Sequence, residues 1–240
     1  MNALLLSAGE GTRLRPLTLT TPKCLLPSVN NGPILKYWMD TLIEAGVDKI
    51  FINVWYLRRQ IIEYVYSLDA DIRNHIVIHN EYYLEPVGEV LFKLRDQLGE
   101  RFLIINSDTY IEKEQVKDFI ETNKNSLQIP VIATEKIDNV EGKGLVIYSF
   151  SSKSQRLIAD FIEKPEGNNP GHVWAGIAIL SKDVIDSYSE ENLIKMELAA
   201  DIFPDLANRM FGYEITGAID IGGSLEIYNQ VCEKFARGKL

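Results

Sequence analysis

A chain of 240 residues, 46% hydrophobic, 25% charged and 10% aromatic, has an ordinary soluble-protein composition and the length to bury a core without disulfides or metals. Its 34 acidic and 25 basic residues sum to −9, which repels nucleic acid and anionic membranes, so neither is an expected partner. Two cysteines, Cys24 and Cys232, without a CxxC, and three histidines are too sparse for a disulfide framework or zinc cluster, and no apolar run approaches the roughly 18 residues needed to span a bilayer. A cytoplasmic location is the expectation.

The first half alternates apolar strands with helical patterns. Ala3–Ser7 reads as a strand, and from Pro33 onward Ile34, Leu35, Trp38, Leu42 and Ile43 recur at helical spacing until Gly46 stops the run. Strands follow at Lys49–Asn53 and Ile76–His79, with helices after Leu57 and before Gln97. This rhythm belongs to a parallel α/β sheet. Phe102–Asn106 is a fourth strand, Lys113–Asn123 a helix and Ile129–Thr134 a fifth strand. The pattern then changes to consecutive strands around 144–149, 156–163 and 173–180, which predicts a mixed sheet or small β region. A helical stretch near 193–209, a short strand near 213–216 and a terminal helix from about Ser224 to 236 close the chain. No long linker or repeat is visible, so residues 1–240 are expected to form one domain.

The first strand runs directly into Ala8-Gly9-Glu10-Gly11-Thr12-Arg13, where backbone amides become available to an anion and glycine lets a phosphate come close. A dinucleotide loop would need glycine where Leu14 stands, and a Walker A loop would need Gly-Lys-Ser/Thr. Neither standard reading fits. The whole stretch from Leu6 to Pro27, LSAGEGTRLRPLTLTTPKCLLP, instead resembles the sugar-phosphate nucleotidyltransferase family, whose signature G-x-G-T-R-L-x-P-L-T followed by P-K-x-L-x-P is met at every fixed position. Asn106-Ser107-Asp108, Gly144-Leu145-Val146, Phe161-Ile162-Glu163-Lys164-Pro165, Ala175-Gly176-Ile177, Asp201-Ile202-Phe203-Pro204 and Asp220-Ile221-Gly222 follow in the family's order.

The resemblance implies a doubly wound, mostly parallel or mixed sheet of the nucleotide-diphospho-sugar transferase type with a small sugar-binding β region. It places nucleotide binding in about 1–135 and sugar-phosphate binding in about 136–222. It also implies the reaction NTP + sugar 1-phosphate → NDP-sugar + pyrophosphate with Mg²⁺, and a tendency to self-associate. Such a transfer needs positioning and charge neutralisation rather than a general base, because the sugar phosphate is largely a dianion at neutral pH, its second pKa being about 6.

By the same resemblance Leu6, Ala8, Gly9, Gly11 and Thr12 line the nucleotide, Arg13 grips its outer phosphates and Lys23 supplies charge to the transferring group. Asp108 and Asp220 are the implied Mg²⁺ ligands. Lys164 and Glu163 are assigned to the sugar phosphate, with Gly144 and Gly176 allowing backbone approach and Trp174 either stacking on the acceptor or filling core. Cys24 reads as a packing residue, and Arg15 as structural or solvated.

Departures from the pattern bear on specificity. Where many relatives carry E-P-L-G-T-A-G-A, this chain has Glu85-Pro86-Val87-Gly88-Glu89-Val90-Leu91-Phe92. A carboxylate at Glu85 or Glu89 facing the base accepts from guanine N1–H and its amino group or from the cytosine amino group, which favours GTP or CTP over UTP. GTP with a mannose- or heptose-type 1-phosphate is the nearest resemblance among short members. Uridylyl or cytidylyl transfer to another phosphate, phosphocholine included, remains an alternative, as does a non-catalytic sugar-nucleotide-binding regulator. The end at Leu240 suggests a catalytic core without an appended β-helix.

Overall fold

The computed structural model describes residues 1–29, 32–125, 128–149, 156–167 and 169–236. They form two compact units, and the chain passes from one to the other after Leu84, Ile104, Val116 and Ala218.

The first unit begins with β1 (Asn2–Leu6), whose Ala3, Leu4 and Leu5 are fully buried. A short hairpin of β2 (Pro27–Val29) and β3 (Gly32–Pro33) precedes α1 (Ile34–Glu44). Its inward face is Ile34, Leu35, Trp38, Met39 and Leu42, the spacing expected of one helix stripe. Trp38 is fully buried and donates its indole N–H to the Thr109 carbonyl at 2.9 Å. Gly46, at φ 77, lets the Val47 N–H return to the Leu42 carbonyl and ends the helix where the sequence expects. β4 (Ile50–Val54), α2 (Arg58–Ser67), α3 (Ala70–Arg73) and β5 (Ile76–Asn80) continue the unit. β1 pairs parallel with β4, Leu6 opposite Asn53, and β4 pairs parallel with β5. β4 is buried at all five positions, which is why it reads as an unbroken apolar run with one polar exception, Asn53.

The second unit opens with α4 (Val87–Leu98), and the chain returns to the first along β6 (Arg101–Asn106). After β7 (Thr109–Tyr110), α5 (Lys113–Asn123) leads back into the second unit. There β8 (Val131–Ile137), β9 (Gly144–Tyr148), β10 (Arg156–Glu163) and β11 (Gly171–Ser181) are joined by antiparallel pairings of β11 with β8, of β11 with β9 and of β10 with β9. Three short helices, α6 (Lys182–Asp186), α7 (Glu190–Leu193) and α8 (Phe203–Asp205), precede β12 (Phe211–Glu214), which pairs parallel with β8 and antiparallel with β10. β13 (Ile219–Asp220) and α9 (Leu225–Ala236) complete the first unit.

The α/β class expected from the sequence holds, with parallel pairing in the first unit and a mixed sheet in the second. One expected element is corrected. Residues 193–209 do not make a continuous helix: α7 ends at Leu193, a π turn occupies Leu198–Ile202, and α8 is a single turn. The break falls at residues 194–197, and Pro204, which has no N–H to donate, lies in the single turn of α8 that continues directly from the π turn. No helix among the described residues is long and apolar enough to cross a membrane.

Candidate active site

The segment after β1 is built to stay open. Gly11 sits at φ 64, in the left-handed region, and a Cβ there would approach Lys23 Cβ and Thr18 Cγ2 at 3.0 Å. Thr18, fully buried, donates its hydroxyl to the Gly11 carbonyl at 2.8 Å. Gly11, Thr18 and Lys23 are therefore packed on one another, which explains why the motif needs all three at this spacing. A single 3-10 turn, Thr12–Leu14, then buries Leu14 and leaves Arg13 with its side chain 59% exposed. Arg15 pairs with Glu10 at 2.8 Å on the surface, in keeping with a solvated role.

Asp108 and Asp220 are 112 residues apart in sequence yet are joined by a two-stranded ribbon: β13 pairs antiparallel with β7, Asp220 opposite Thr109, and the Ile221 N–H donates to the Asp108 carbonyl at 2.9 Å. Lys23 Nζ lies 2.5 Å from Asp108 Oδ2, and Arg13 Nη1 lies 3.7 Å from Asp220 Oδ2. A Cβ on Gly222 would lie 2.5 Å from Asp108 Oδ2, so glycine is required for the carboxylate to sit there. Burial alone would push the Asp108 carboxyl up, but the charge and hydrogen bond of Lys23, assisted by Arg13, hold it below the usual carboxylate range. The first unit thus brings Arg13, Lys23, Asp108 and Asp220 together as two acid–base pairs beside the glycine loop.

Two carboxylates supply hard oxygen donors suited to Mg²⁺, which commonly takes one or two protein carboxylates and fills its octahedron with water and substrate phosphates. Among the described residues no group of three or more His, Cys, Asp and Glu could hold a metal alone. The donor set fits an ion shared with a phosphate ligand.

The other expected residues lie in the second unit. Gly144 pairs with Glu163 across β9 and β10, and a Cβ on Gly144 would overlap the Phe161 ring. Glycine at 144 therefore leaves the space that the Phe161 ring fills. Phe161 packs edge-on against Phe203, and Phe203 against Trp174, whose indole N–H donates to the Ile177 carbonyl at 3.1 Å. Trp174 is half-buried at the end of this aromatic row. Gly176 sits at φ 85 within the register shift between Trp174 and Ala178, a bulge that needs glycine. Lys164 adopts φ 50, rare for a side-chain-bearing residue, its N–H held by the Lys143 carbonyl, its side chain 70% exposed and its ammonium 3.7 Å from Glu163. Glu85 is not an open acceptor: its carboxylate is 1% exposed and bound by Lys93 at 2.6 Å, and Lys93 also reaches Glu89 at 2.7 Å. Gly88 lies in the first turn of α4, where any Cβ would overlap the Leu193 carbonyl oxygen.

The family model described as nucleotidyl transferase matches residues 2–222. The chain belongs to this family. A mannose-1-phosphate guanyltransferase beta-B of Xenopus laevis is 29% identical over 97% of this chain, which spans 64% of that relative's length, less than two thirds. The crystal structure of HddC from Yersinia pseudotuberculosis is similar at a TM-score of 0.78 and 25% identity, covering 98% of this chain and 99% of that one. A structure of a putative glucose-1-phosphate thymidylyltransferase from Bacillus anthracis shares the fold at a TM-score of 0.83 and 17% identity, covering 100% of this chain and 95% of that one.

In this nucleotidyl transferase family member several residues that support the motif are not singled out by the sequence. Ser107, buried beside Asp108, gives both its N–H and its hydroxyl to the Leu6 carbonyl, at 3.3 and 2.7 Å, tying the acid to the glycine loop. Asn53 and Glu81 hold the same loop through Ser7. A lone polar residue inside the buried β4 was the available signal for Asn53. Cys24 is buried, its thiol pushed up to about 12 chiefly by desolvation, so it packs rather than reacts.

Proposed function

We propose that the protein transfers a nucleotidyl group from an NTP, GTP in the leading reading, to a mannose- or heptose-type sugar 1-phosphate and releases pyrophosphate. The observation that carries the reading is the pairing of Lys23 with Asp108 and Arg13 with Asp220 beside the glycine loop, the four groups such a transfer requires. The name of the Xenopus laevis relative, and a second HddC structure described as complexed with GMP-PN, support the choice of a guanine nucleotide.

In this reading the loop from Leu6 to Thr12 receives the triphosphate on backbone amides, and Arg13, exposed and planar, forks onto its outer phosphates. Lys23 offers a compact charge to the α-phosphate, toward which it can swing from Asp108. The sugar phosphate oxygen forms a bond to the α-phosphorus while the bond to the departing pyrophosphate breaks, its electron pair leaving with the pyrophosphate. A Mg²⁺ held by Asp108 and Asp220 would neutralise charge on the phosphates during transfer. Glu163 and Lys164 serve the sugar phosphate, and the segment Glu85–Glu89 serves the base, with Glu89 and Lys93 as its polar groups in place of a free Glu85. The setting is the cytoplasm, consistent with free Cys24 and Cys232.

Pyrophosphate release measured across a matrix of NTPs and acceptors tests the assignment: GTP with mannose or heptose 1-phosphate should give the highest turnover, and EDTA should abolish it. UTP as the preferred donor would overturn the base assignment, and phosphocholine as the preferred acceptor the sugar assignment. Full activity in Asp108→Ala would return the protein to the class of non-catalytic sugar-nucleotide binders.

A further inference from the structure

Glu81 is a fully buried carboxylate that none of the chemistry above employs. It accepts a hydrogen bond from Asn53 Nδ2 at 2.7 Å, and Asn53 Oδ1 accepts one from the Ser7 N–H at 2.8 Å. We propose that Glu81 and Asn53 form a positioning relay that fixes the nucleotide-binding loop through the Ser7 amide, a role that rests on the nucleotidyl-transfer reading.

The residues make sense in this order and no other. Asn53, 4% exposed, lies opposite Leu6 in the β1–β4 register, at the point where β1 gives way to the loop. An amide side chain can present either its oxygen or its NH₂ to a neighbour. The carboxylate of Glu81 takes the NH₂ end, so the oxygen end must face Ser7. Glu81 is itself placed just beyond β5, its N–H donating to the Val54 carbonyl at 3.0 Å and its carbonyl accepting from Arg58 Nη1 at 2.8 Å. Burying a carboxylate is costly unless it is hydrogen-bonded, so this arrangement calls for a return.

That return is the shape of the loop. Three successive residues are pinned where β1 ends: the Leu6 carbonyl by Ser107, the Ser7 N–H by Asn53, and the Ala8 carbonyl by the Tyr56 N–H at 3.3 Å. The middle pin alone depends wholly on side chains for its acceptor. Small displacements of groups that orient a reacting phosphate lower rates steeply, so a loosened Ser7 should be felt at the nucleotide before it is felt elsewhere.

Asn53→Asp keeps the shape and the acceptor for Ser7 but sets carboxylate against carboxylate at Glu81. The double variant N53D/E81Q restores a donor–acceptor pair with the amide moved to the other partner. With GTP and mannose 1-phosphate, N53D should raise the KM for GTP about tenfold or more. It should leave the KM for the sugar phosphate within about twofold, since a general loss of folded protein lowers kcat and moves neither KM. The double variant should recover the GTP KM to within about threefold of wild type. Hydrogen exchange at the Ser7 amide, measured without nucleotide, should accelerate in N53D and slow again in the double variant. An unchanged GTP KM and unchanged Ser7 exchange in N53D, or a double variant no better than N53D, would overturn the relay. If N53D does not fold, recovery of folding and GTP KM in the double variant supports the relay, and its failure to fold refutes it. Wild-type protein that turns over no NTP would refute the nucleotidyl-transfer reading instead, while the exchange measurement still decides the relay.

Discussion

Removing Lys23 should reverse the way Asp108 responds to pH. In the wild-type protein the Asp108 carboxyl is held below its ordinary value of about 3.9, so it contributes stability that is present above that pH and is lost as pH falls through the folded-state pKa. In Lys23→Met the largest remaining influence is burial, which raises the carboxyl. Asp108 then contributes its full share only when protonated, and stability is lost as pH rises. Leaving one partner of a buried pair uncompensated costs about 3–5 kcal/mol, and because the Lys23 and Asp108 side chains keep 20% and 14% exposure the lower end applies. About 3 kcal/mol corresponds to a fall in Tm of about 6–12 °C for a chain of this size. Thermal unfolding at pH 7.5 should show that fall, and the deficit should be smaller at pH 4.5, where the raised carboxyl of the variant is more protonated while the wild-type pair is still ionised. Lys23→Met/Asp108→Asn, with no charge left to strand, should regain most of the loss at pH 7.5. An equal Tm deficit at both pH values, or no recovery in the double variant, would refute the account of the pair.

Three further outcomes follow from close packing and burial. Gly222→Ala sets a Cβ 2.5 Å from Asp108 Oδ2 and 3.0 Å from Lys23 Cδ, and should cut pyrophosphate release at least about tenfold at saturating Mg²⁺ with an overpacking cost of only about 1–3 kcal/mol. Wild-type turnover would show that the carboxylate need not hold its place. Gly88→Ala meets backbone, the Leu193 carbonyl, and should lower stability by at least about 1–3 kcal/mol in urea unfolding, whereas a neutral effect would mean that α4 can slide. Titration of native protein with a thiol reagent should modify Cys232 quickly and Cys24 only after denaturation, because burial pushes the Cys24 thiol up to about 12; rapid modification of both would contradict its burial.

Local chemistry made much of the molecule legible in one dimension. Strand and helix periodicity located β1, α1, β4, β5, β6, α5 and α9 to within a residue or two, since each buries one face or a continuous run. The motif from Leu6 to Pro27 was equally readable because glycine geometry, proline spacing and paired cations act over neighbouring residues. Elements whose form depends on partners were not readable in the same way. The expected helix near 193–209 broke into α7, a π turn and α8, and the two-residue strands β7 and β13 carry no periodicity at all.

That last pair shows where the division falls. Residue types alone determined that acids, cations and a glycine loop belong to this chain, and that its net charge of −9 demands a local concentration of cations for any polyanionic substrate. Tertiary structure decided which of them meet: Lys23 with Asp108, Arg13 with Asp220, Lys93 with both Glu85 and Glu89, and Asn53 with Glu81 and Ser7. Propensity and spacing act along the chain over a few residues, whereas the pairing of buried charges depends on which strands lie side by side. Neutralising a buried carboxylate is therefore a property of the fold, and the sequence alone cannot say which cation does it.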